Sequence, residues 1–591
     1  MATYQATPLH PENKGPLCWR DAEAAATQLT DTERRTLRLL TRLPLLPATV
    51  IEQLNGLEGP ASVYRRLKTL LDEGLLAWVR PAIRLGHNPR LWYLTDLGLT
   101  VVALDSQVDV TALAQQYHLR GGDLLGRLAG VSYLVAMYEL FGAVEASQPG
   151  RPTLLTWDVP WRRRFYVPMT GKHEAVHAPA YAAFAWEQCS LDCLLIPDLA
   201  TYPLQVHRRM LERLLTYRGI ARVRLPVLVI ATVDEGRADG WRRFLKSVTH
   251  FRRDLALKAI VATWDALPQD MPRLPVVTGP EAAHIGDHLP QLQLPPLKPR
   301  QAWRPIPQLV NTSMSASHRP GTKAYLGRLS LAITATDRYL LDFVGRHPFL
   351  SPGDLAVVMG WTSEWAEVRC RRLMGKGLMR FLTASEVGEA MAARQLVELT
   401  DVGLALVAAH EGLSLKSAMR HNGLAGGGPN SPIGSRAGLV QYLRHTLGVN
   451  GVALSFYRAA QSARGKGGHD AVIEWRNAAA CSHRLIRPDG YLLYRHDGRT
   501  RGFFLEYDRG TMRARGYRRK FAGYLLYLRR RLFERDYDSF PTLLIVTPHS
   551  EAEERLQGAI RRAESMMGGR LSVVFLREWQ LRNAKFLKFL G

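Results

Sequence analysis

Leu94-Thr95-Asp96-Leu97-Gly98-Leu99 returns as Leu399-Thr400-Asp401-Val402-Gly403-Leu404, and each copy runs on into a small apolar helix, Val101-Val102-Ala103 and Leu406-Val407-Ala408. Upstream, Leu70-Leu71-Asp72-Glu73-Gly74-Leu75 matches Leu373-Met374-Gly375-Lys376-Gly377-Leu378. Thr95 and Thr400 lie 305 residues apart, Gly74 and Gly377 303 apart. Two motifs in one order at nearly one spacing predict an internal duplication. Differences between the copies then point to the one that has kept charged residues fit for chemistry.

Outward from the first copy, Thr30 or Thr32 caps a helix carrying Leu37, Leu39 and Leu40, and a second helix starts at Thr49. Residues 62–71 read as a third, with Val63, Leu67, Leu70 and Leu71 inward, ended by Gly74. Residues 75–79 and 90–94 then make two strands around the loop 84–89. Three helices followed by a hairpin predict a winged helix over 28–110. The second copy predicts another over 329–415, with its third helix at 363–374 and strands at 378–382 and 395–399. In a helix-turn-helix the third helix enters the major groove. That assigns Arg65, Arg66, Lys68, Arg369, Arg371 and Arg372 to DNA. Both modules also make sense as dimerisation or packing units whose arginines are a solvated helix face. Trp361 and Trp365 are expected in the core.

At 591 residues the chain exceeds one core, and three to five domains are expected. A hydrophobic fraction of 46% with 22% charged residues belongs to globular protein. Lys and Arg number 78 against 53 Asp and Glu, a net charge of +25. Such an excess favours a polyanion partner, because phosphate neutralisation releases counterions; a generally Arg-rich proteome is the bland alternative. No apolar stretch reaches bilayer length and the N-terminus lacks a signal-peptide apolar region, so no membrane partner is expected. The five cysteines, Cys18, Cys189, Cys193, Cys370 and Cys481, are scattered, which fits a reducing cytoplasm. Cys189 and Cys193 have no second Cys/His pair at zinc spacing. The expected location is cytoplasmic, with the nucleoid or a plasmid.

Residues up to about 27 read as a loose leader. A linker is expected over 289–328, with six prolines between 289 and 307 and a Ser/His/Gly-rich stretch after it. A Gly-rich break covers 416–435. Each half is then a winged helix plus a following domain, 120–288 and 436–591.

The last domain is the richer one. Helix signals from Arg436 lead to a strand at 486–494, a turn at 495–499, a strand at 502–509, a basic helix at 513–531, a strand at 542–547, a helix at 551–565 and a strand at 571–576. That order predicts an α/β sandwich. Asp489 and Glu506 on adjacent strands can point one way, and Asp508 shares the face of Glu506 because strand side chains repeat every second residue. Three such carboxylates suit Mg²⁺, with Lys520 on the next helix near a scissile phosphate or an attacking water. Arg509, Arg515, Arg518 and Arg519 are placed against DNA. The competing reading makes Glu506-Tyr507-Asp508-Arg509 an ion-pair network that pins the basic helix. His445, His469 and His483 lack ligand spacing and read as loop or capping residues. Arg464-Gly465-Lys466-Gly467-Gly468 lacks the context of a phosphate loop, so ATP use is unsupported.

Pro488-Asp489 followed by Glu506-Tyr507-Asp508 resembles the Pro-Asp…(Asp/Glu)-x-Lys pattern of restriction-endonuclease-like nucleases, with Asp508 at the lysine position and Lys520 as the substitute. Across roughly 334–576, the order winged helix, Leu-Thr-Asp-x-Gly, Arg-Pro-Asp-x-Tyr, Phe-Leu-Glu-x-Asp-Arg-Gly-Thr and Arg-Lys-x-x-x-Tyr (Arg519, Lys520, Tyr524) resembles the replication-relaxation family of bacterial plasmids and mobile elements. The resemblance implies a winged helix plus a restriction-endonuclease-like sandwich for this half, and the internal repeat then makes the expected fold an α/β protein of two tandem copies of that pair. It implies a DNA-binding protein of replication or mobilisation, with double-stranded DNA and other replication or transfer proteins as partners. Two alternatives stay open: a Mg²⁺-dependent nuclease or nickase centred on Asp489, Glu506, Asp508 and Lys520, and a non-catalytic assembly factor.

The first copy reads as degenerate. His177-Ala178-Pro179-Ala180-Tyr181 stands for Arg487-Pro488-Asp489-Gly490-Tyr491, and 194–201 for 504–511. Ile196 replaces Glu506, Ala180 replaces Asp489 and Met210 replaces Lys520; Asp198 and Thr201 survive, and Arg208 and Arg209 keep the helix basic. It is expected to be a scaffold or DNA clamp.

Overall fold

The computed structural model describes residues 19–56, 59–83, 88–146, 153–158, 161–186, 189–199, 204–222, 225–249, 257–267, 311–314, 318–410, 412–413, 415, 418–419, 443–465, 467–510, 514–582 and 586–587. The tip of the expected wing at 84–87, most of both expected linkers, Thr201 and the Arg209 side chain lie outside the described residues. The chain divides at Arg338/Tyr339 into two compact units, with 409–413 belonging to the first.

In the first unit, α1 (Trp19–Gln28) is helical where the sequence reads as leader. Its Ala-rich run favours helix, and Ala22 and Ala26 are buried. Thr30 opens α2 (Asp31–Arg42) with a capping box closed by Glu33. There follow β1 (Leu46–Pro47), α3 (Ala48–Asn55), α4 (Pro60–Asp72), β2 (Leu76–Val79) and β3 (Leu91–Leu94), the strands forming an antiparallel sheet in the order β1-β3-β2. Four helices continue the chain: α5 (Asp96–Asp105), α6 (Val110–Tyr117), α7 (Gly121–Leu128) and α8 (Val131–Ala146).

The remainder of the unit holds β4 (Thr153–Asp158), β5 (Trp161–Val167), β6 (Lys172–Ala178), β7 (Ala180–Trp186), β8 (Cys189–Pro197), α9 (Gln205–Ala221), β9 (Val227–Thr232), α10 (Glu235–Thr249) and β10 (Ala259–Thr263). Five strands form one sheet in the order β4-β7-β8-β9-β10, antiparallel up to β8 and parallel beyond it. β5 and β6 pair with each other as a separate ribbon. Thr322 caps α11 (Lys323–Ala332), a helix that begins inside the expected linker.

The chain passes into the second unit within α12 (Ala335–Arg346) and continues through α13 (Pro352–Met359), α14 (Ser363–Gly375), β11 (Met379–Phe381), β12 (Val397–Leu399) and α15 (Asp401–His410), whose last two residues count with the first unit. Then come α16 (Leu443–Arg464), β13 (Ala471–Asn477), β14 (Gly490–His496), β15 (Arg499–Tyr507), α17 (Ala514–Arg529), β16 (Thr542–Thr547), α18 (Ser550–Met567) and β17 (Val573–Arg577). The sheet order is β13-β14-β15-β16-β17, again antiparallel up to β15 and parallel beyond it. Asp497-Gly498, both at positive φ, make the β14–β15 turn. The edge strand β13 has no counterpart in the sequence expectation.

The repeated motif has a local physical cause. Thr95 Oγ1 accepts from the Gly98 amide at 3.1 Å and donates to Gly74 O at 2.6 Å. Thr400 does the same with Gly403 at 3.1 Å and Gly377 O at 2.6 Å. A Cβ on Gly98 would lie 2.1 Å from Leu75 O, and one on Gly403 2.0 Å from Leu378 O. The threonine thus caps the helix while the glycine admits the carbonyl of the chain beneath it. Leu45 and Phe349, fully buried and non-glycine, share a left-handed φ of 70° and 68°, and their amides bond Trp92 O and Val397 O.

The register corrects one correspondence. Ala180 pairs with Leu195, and Gly490 with Leu505. Ala180 therefore matches Gly490, and Pro179 is the residue at the Asp489 position.

Candidate functional site

Glu506 lies near the end of β15, at the step from antiparallel to parallel pairing, where its side chain faces α17. Strand residues two apart share a face, and helix residues three and four apart share a stripe. These two periods bring Glu506 and Asp508 against Tyr517, Lys520 and Tyr524. Tyr524 OH donates to Glu506 Oε1 at 2.5 Å, and Lys520 Nζ forms an ion pair with Oε2. Tyr517 OH donates to Asp508 Oδ2 at 2.6 Å, while the Gly510 amide donates to Oδ1 at 3.1 Å.

Asp489 sits just before β14. Its amide donates to Leu505 O at 2.9 Å, and its Oδ2 accepts from the Tyr507 amide at 2.8 Å. His445, on α16, places Nε2 3.2 Å from Asp489 Oδ1. One turn further on, Gly448 leaves room for the Tyr507 ring, since a Cβ there would be 2.1 Å from it. Tyr507 OH in turn bonds Glu578. His445, expected as a loop or cap residue, is thus an Asp489 partner. Its distance in sequence from the strands hid it.

The electrostatics separate the two acids. Burial pushes Glu506 up to about 7, with Asp489 adding to the rise and Lys520 opposing it. Burial would raise Asp489 too, but the His445 hydrogen bond and the Lys520 charge hold it below the ordinary carboxylate range. Desolvation of Lys520 is outweighed by Glu506 and Asp489, so its ammonium is held charged. One acid stays ionised while its neighbour titrates near neutrality beside a fixed cation.

Mg²⁺ is commonly held by one or two carboxylates and keeps several waters. All three expected carboxylates are of that donor type, and each has both oxygens engaged by protein partners: Asp489 by His445 and the Tyr507 amide, Glu506 by Tyr524 and Lys520, Asp508 by Tyr517 and the Gly510 amide. Among the described residues, three metal-ligand side chains bring their ligand atoms within 4.8 Å of one another at Asp470, His496 and Asp497. That group belongs to the opposite end of β14. There Asp470 accepts from Tyr494 OH at 3.1 Å and contacts His496 Nδ1 at 2.8 Å.

The corresponding place in the first unit is closed. The Asp198 amide donates to Ala231 O at 2.8 Å, as the Asp508 amide does to Val546 O at 2.9 Å. The Asp198 carboxylate is 3% exposed. It accepts from Arg237 Nε at 2.6 Å and from Trp241 Nε1 at 2.6 Å. Ile196 is fully buried at the Glu506 position.

The residues assigned to DNA divide by exposure. Arg65, Lys68, Arg371, Arg372, Arg509, Arg515, Arg518 and Arg519 are exposed, and Arg66 and Arg369 are half-buried. Lys68 pairs with Asp72 at 2.5 Å, and Arg371 with Glu367 at 2.7 Å. Trp365 is exposed rather than in the core, and Arg369 stacks over its ring at 4.5 Å. Among the described residues no single helix is long and apolar enough to cross a membrane.

Residues 341–543, which include Asp489, Glu506, Lys520 and His445, match the model of the family described as Replication-relaxation. No curated protein and no solved structure matches the chain.

Proposed function

We propose, from the match of residues 341–543 to the replication-relaxation family model, that the chain binds double-stranded DNA during replication or mobilisation and that its second unit cleaves a phosphodiester bond. The observation that carries this reading is the convergence of Asp489, Glu506 and Lys520 where β14 and β15 meet α17. The unit's order, α16, three antiparallel strands, α17 and a parallel fourth strand, supports a restriction-endonuclease-like core.

In this reading Asp489 and Glu506 hold a Mg²⁺ ion, which when bound lowers the pKa of its water and offsets charge on the phosphoryl oxygens. Lys520 neutralises the phosphate or orients the attacking water. Tyr524 fixes the Glu506 carboxylate, and His445 fixes Asp489. The exposed Arg515, Arg518 and Arg519 on the Lys520 helix hold neighbouring phosphates. The helices α4 and α14 serve as winged-helix recognition elements, through Arg65 and Lys68 and through Arg371 and Arg372. The shared cap geometry and strand order support a tandem duplication whose first copy is a non-catalytic clamp.

The test is incubation of the full chain with supercoiled plasmid and Mg²⁺ or Mn²⁺, beside an Asp489→Ala/Glu506→Ala double variant. Nicking by the wild type and binding alone by the variant is the expected result. Binding without cleavage by both leaves a DNA-binding protein with structural carboxylates. No binding by either sinks the reading and favours an assembly factor.

A further inference from the structure

The ribbon β5–β6 has no equivalent among the described residues of the second unit, where a single helical turn at Ala478–Cys481 lies between the corresponding strands. Its seven cross-strand pairs run from Trp161↔Ala178 to Val167↔Lys172. At about 3.3 Å per residue the ribbon is about 20 Å long.

Alternation gives it two unlike faces. Trp161, Phe165, Val167, Val176 and Ala178 are buried in one hydrophobic cluster with Leu211 and Leu214 of α9. The outward positions are Arg162, Arg164, Tyr166, His173, Ala175 and His177. Both arginines, Tyr166 and both histidines are exposed, Tyr166 at 50%. None of the six is a carboxylate. Partial desolvation, with the guanidiniums of Arg213 on α9 and of Arg162 on the outward face, pushes the His177 pKa down. At the tip, the turn Pro168-Met169-Thr170-Gly171 closes on Val167 O, with Gly171 at φ 66°. Met169 is 96% exposed, the most exposed of the large hydrophobic side chains described.

We propose that this ribbon is a DNA-contacting arm of the first unit: Arg162 and Arg164 hold backbone phosphates along a duplex, and Met169 enters a base step in the groove. The proposal rests on the DNA-binding reading above. Two-stranded ribbons dock on duplex DNA in either the major or the minor groove. A cationic face without acids is complementary to the phosphate backbone. An exposed methionine beside a proline is the kind of apolar wedge that unstacks bases and kinks a duplex. Burial of the opposite face on α9 fixes the arm's orientation, so its docking costs little ordering entropy.

The experiment uses the full chain and an end-labelled linear duplex in EDTA, which prevents cleavage. Affinity is measured from low to moderate salt, and bending by energy transfer between the ends. Arg162→Ala/Arg164→Ala is expected to weaken binding and to reduce the slope of log K against log salt by about 2. Arg162→Lys/Arg164→Lys is expected to keep the slope. Met169→Ala is expected to bind with a wild-type slope and to abolish the bend. If the alanine pair binds with an unchanged slope, or if the wild type binds without bending, the ribbon is not the arm proposed. If the wild type binds no DNA, the underlying reading fails instead.

Discussion

Tyr524 OH donates to Glu506 Oε1 at 2.5 Å from the helical turn beyond Lys520, whose ammonium takes the other oxygen of the same carboxylate. Both oxygens of an acid only 4% exposed are therefore held from one helix. Tyr524→Phe removes one donor and leaves a buried oxygen unsatisfied, at a cost of about 1–3 kcal/mol. Urea unfolding of the second unit measures that cost. An unchanged midpoint would show that water replaces the hydroxyl.

Lys520 acts on the chemistry rather than on recognition in the proposed reading. Lys520→Met keeps the aliphatic stem and removes the charge, so plasmid nicking should be lost while duplex affinity at moderate salt stays close to wild type. Asp508→Asn should retain most nicking, because the amide oxygen can still accept from the Gly510 N–H while the amide NH2 donates to the Tyr517 hydroxyl oxygen. Asp489→Asn should abolish nicking. Equal loss at Asp489 and Asp508 would return Asp508 to the metal site.

In the first unit the bond from Arg237 to Asp198 is structural. Arg237→Ala removes the guanidinium from a buried carboxylate that keeps its Trp241 bond, a loss of about 3–5 kcal/mol for a buried pair broken on one side. The first unit should unfold earlier in a denaturant titration, with the nicking rate per folded molecule unchanged. A drop in the rate itself would mean that this unit takes part in catalysis.

Acid should destabilise the second unit through His347. This ring is 3% exposed and stacks on Trp475 at 3.8 Å. Burial and the neighbouring Arg346 hold its pKa well below the ordinary 6.5, against a backbone hydrogen bond with Trp475. The unfolded chain therefore binds the proton more readily than the folded one. The stability this confers is complete above pH 6.5 and declines as the pH falls toward the folded pKa, by about 1.4 kcal/mol for each pH unit crossed. Thermal unfolding between pH 7.5 and 5 reads the effect, and His347→Gln should flatten the acid limb. Parallel pH profiles for the two proteins would assign the acid loss elsewhere.

The parts legible in the sequence are those whose causes are local. The Leu-Thr-Asp-x-Gly motif carries its own cap and its own close approach, and Pro-Asp with Glu-x-Asp marks the ends of two neighbouring strands. Strand β13 escaped reading because it is an edge strand whose Ile473 is half exposed and whose pairing shifts between Val472 and Glu474. The ribbon escaped because Arg162-Arg163-Arg164 breaks apolar alternation. Arg163 is paired with Asp158 at 3.2 Å, a contact that spacing alone does not reveal. His445 reaches Asp489 from a separate helix, and only the assembled sheet brings them together.

The closure of Asp198 also limits what mutation can restore. Ile196→Glu alone would bury a second acid with Met210 where the second unit has Lys520, and Pro179 would still offer no Asp489. The acid pair and its cation need Glu at 196, Asp at 179 and Lys at 210 together, and Ile196→Glu taken first buries a charge without a cation. The first unit thus sits at the bottom of a mutational well. Its buried Asp198 is tied to Arg237 and Trp241, while the acids and lysine of the proposed site stand together in the other half of the chain.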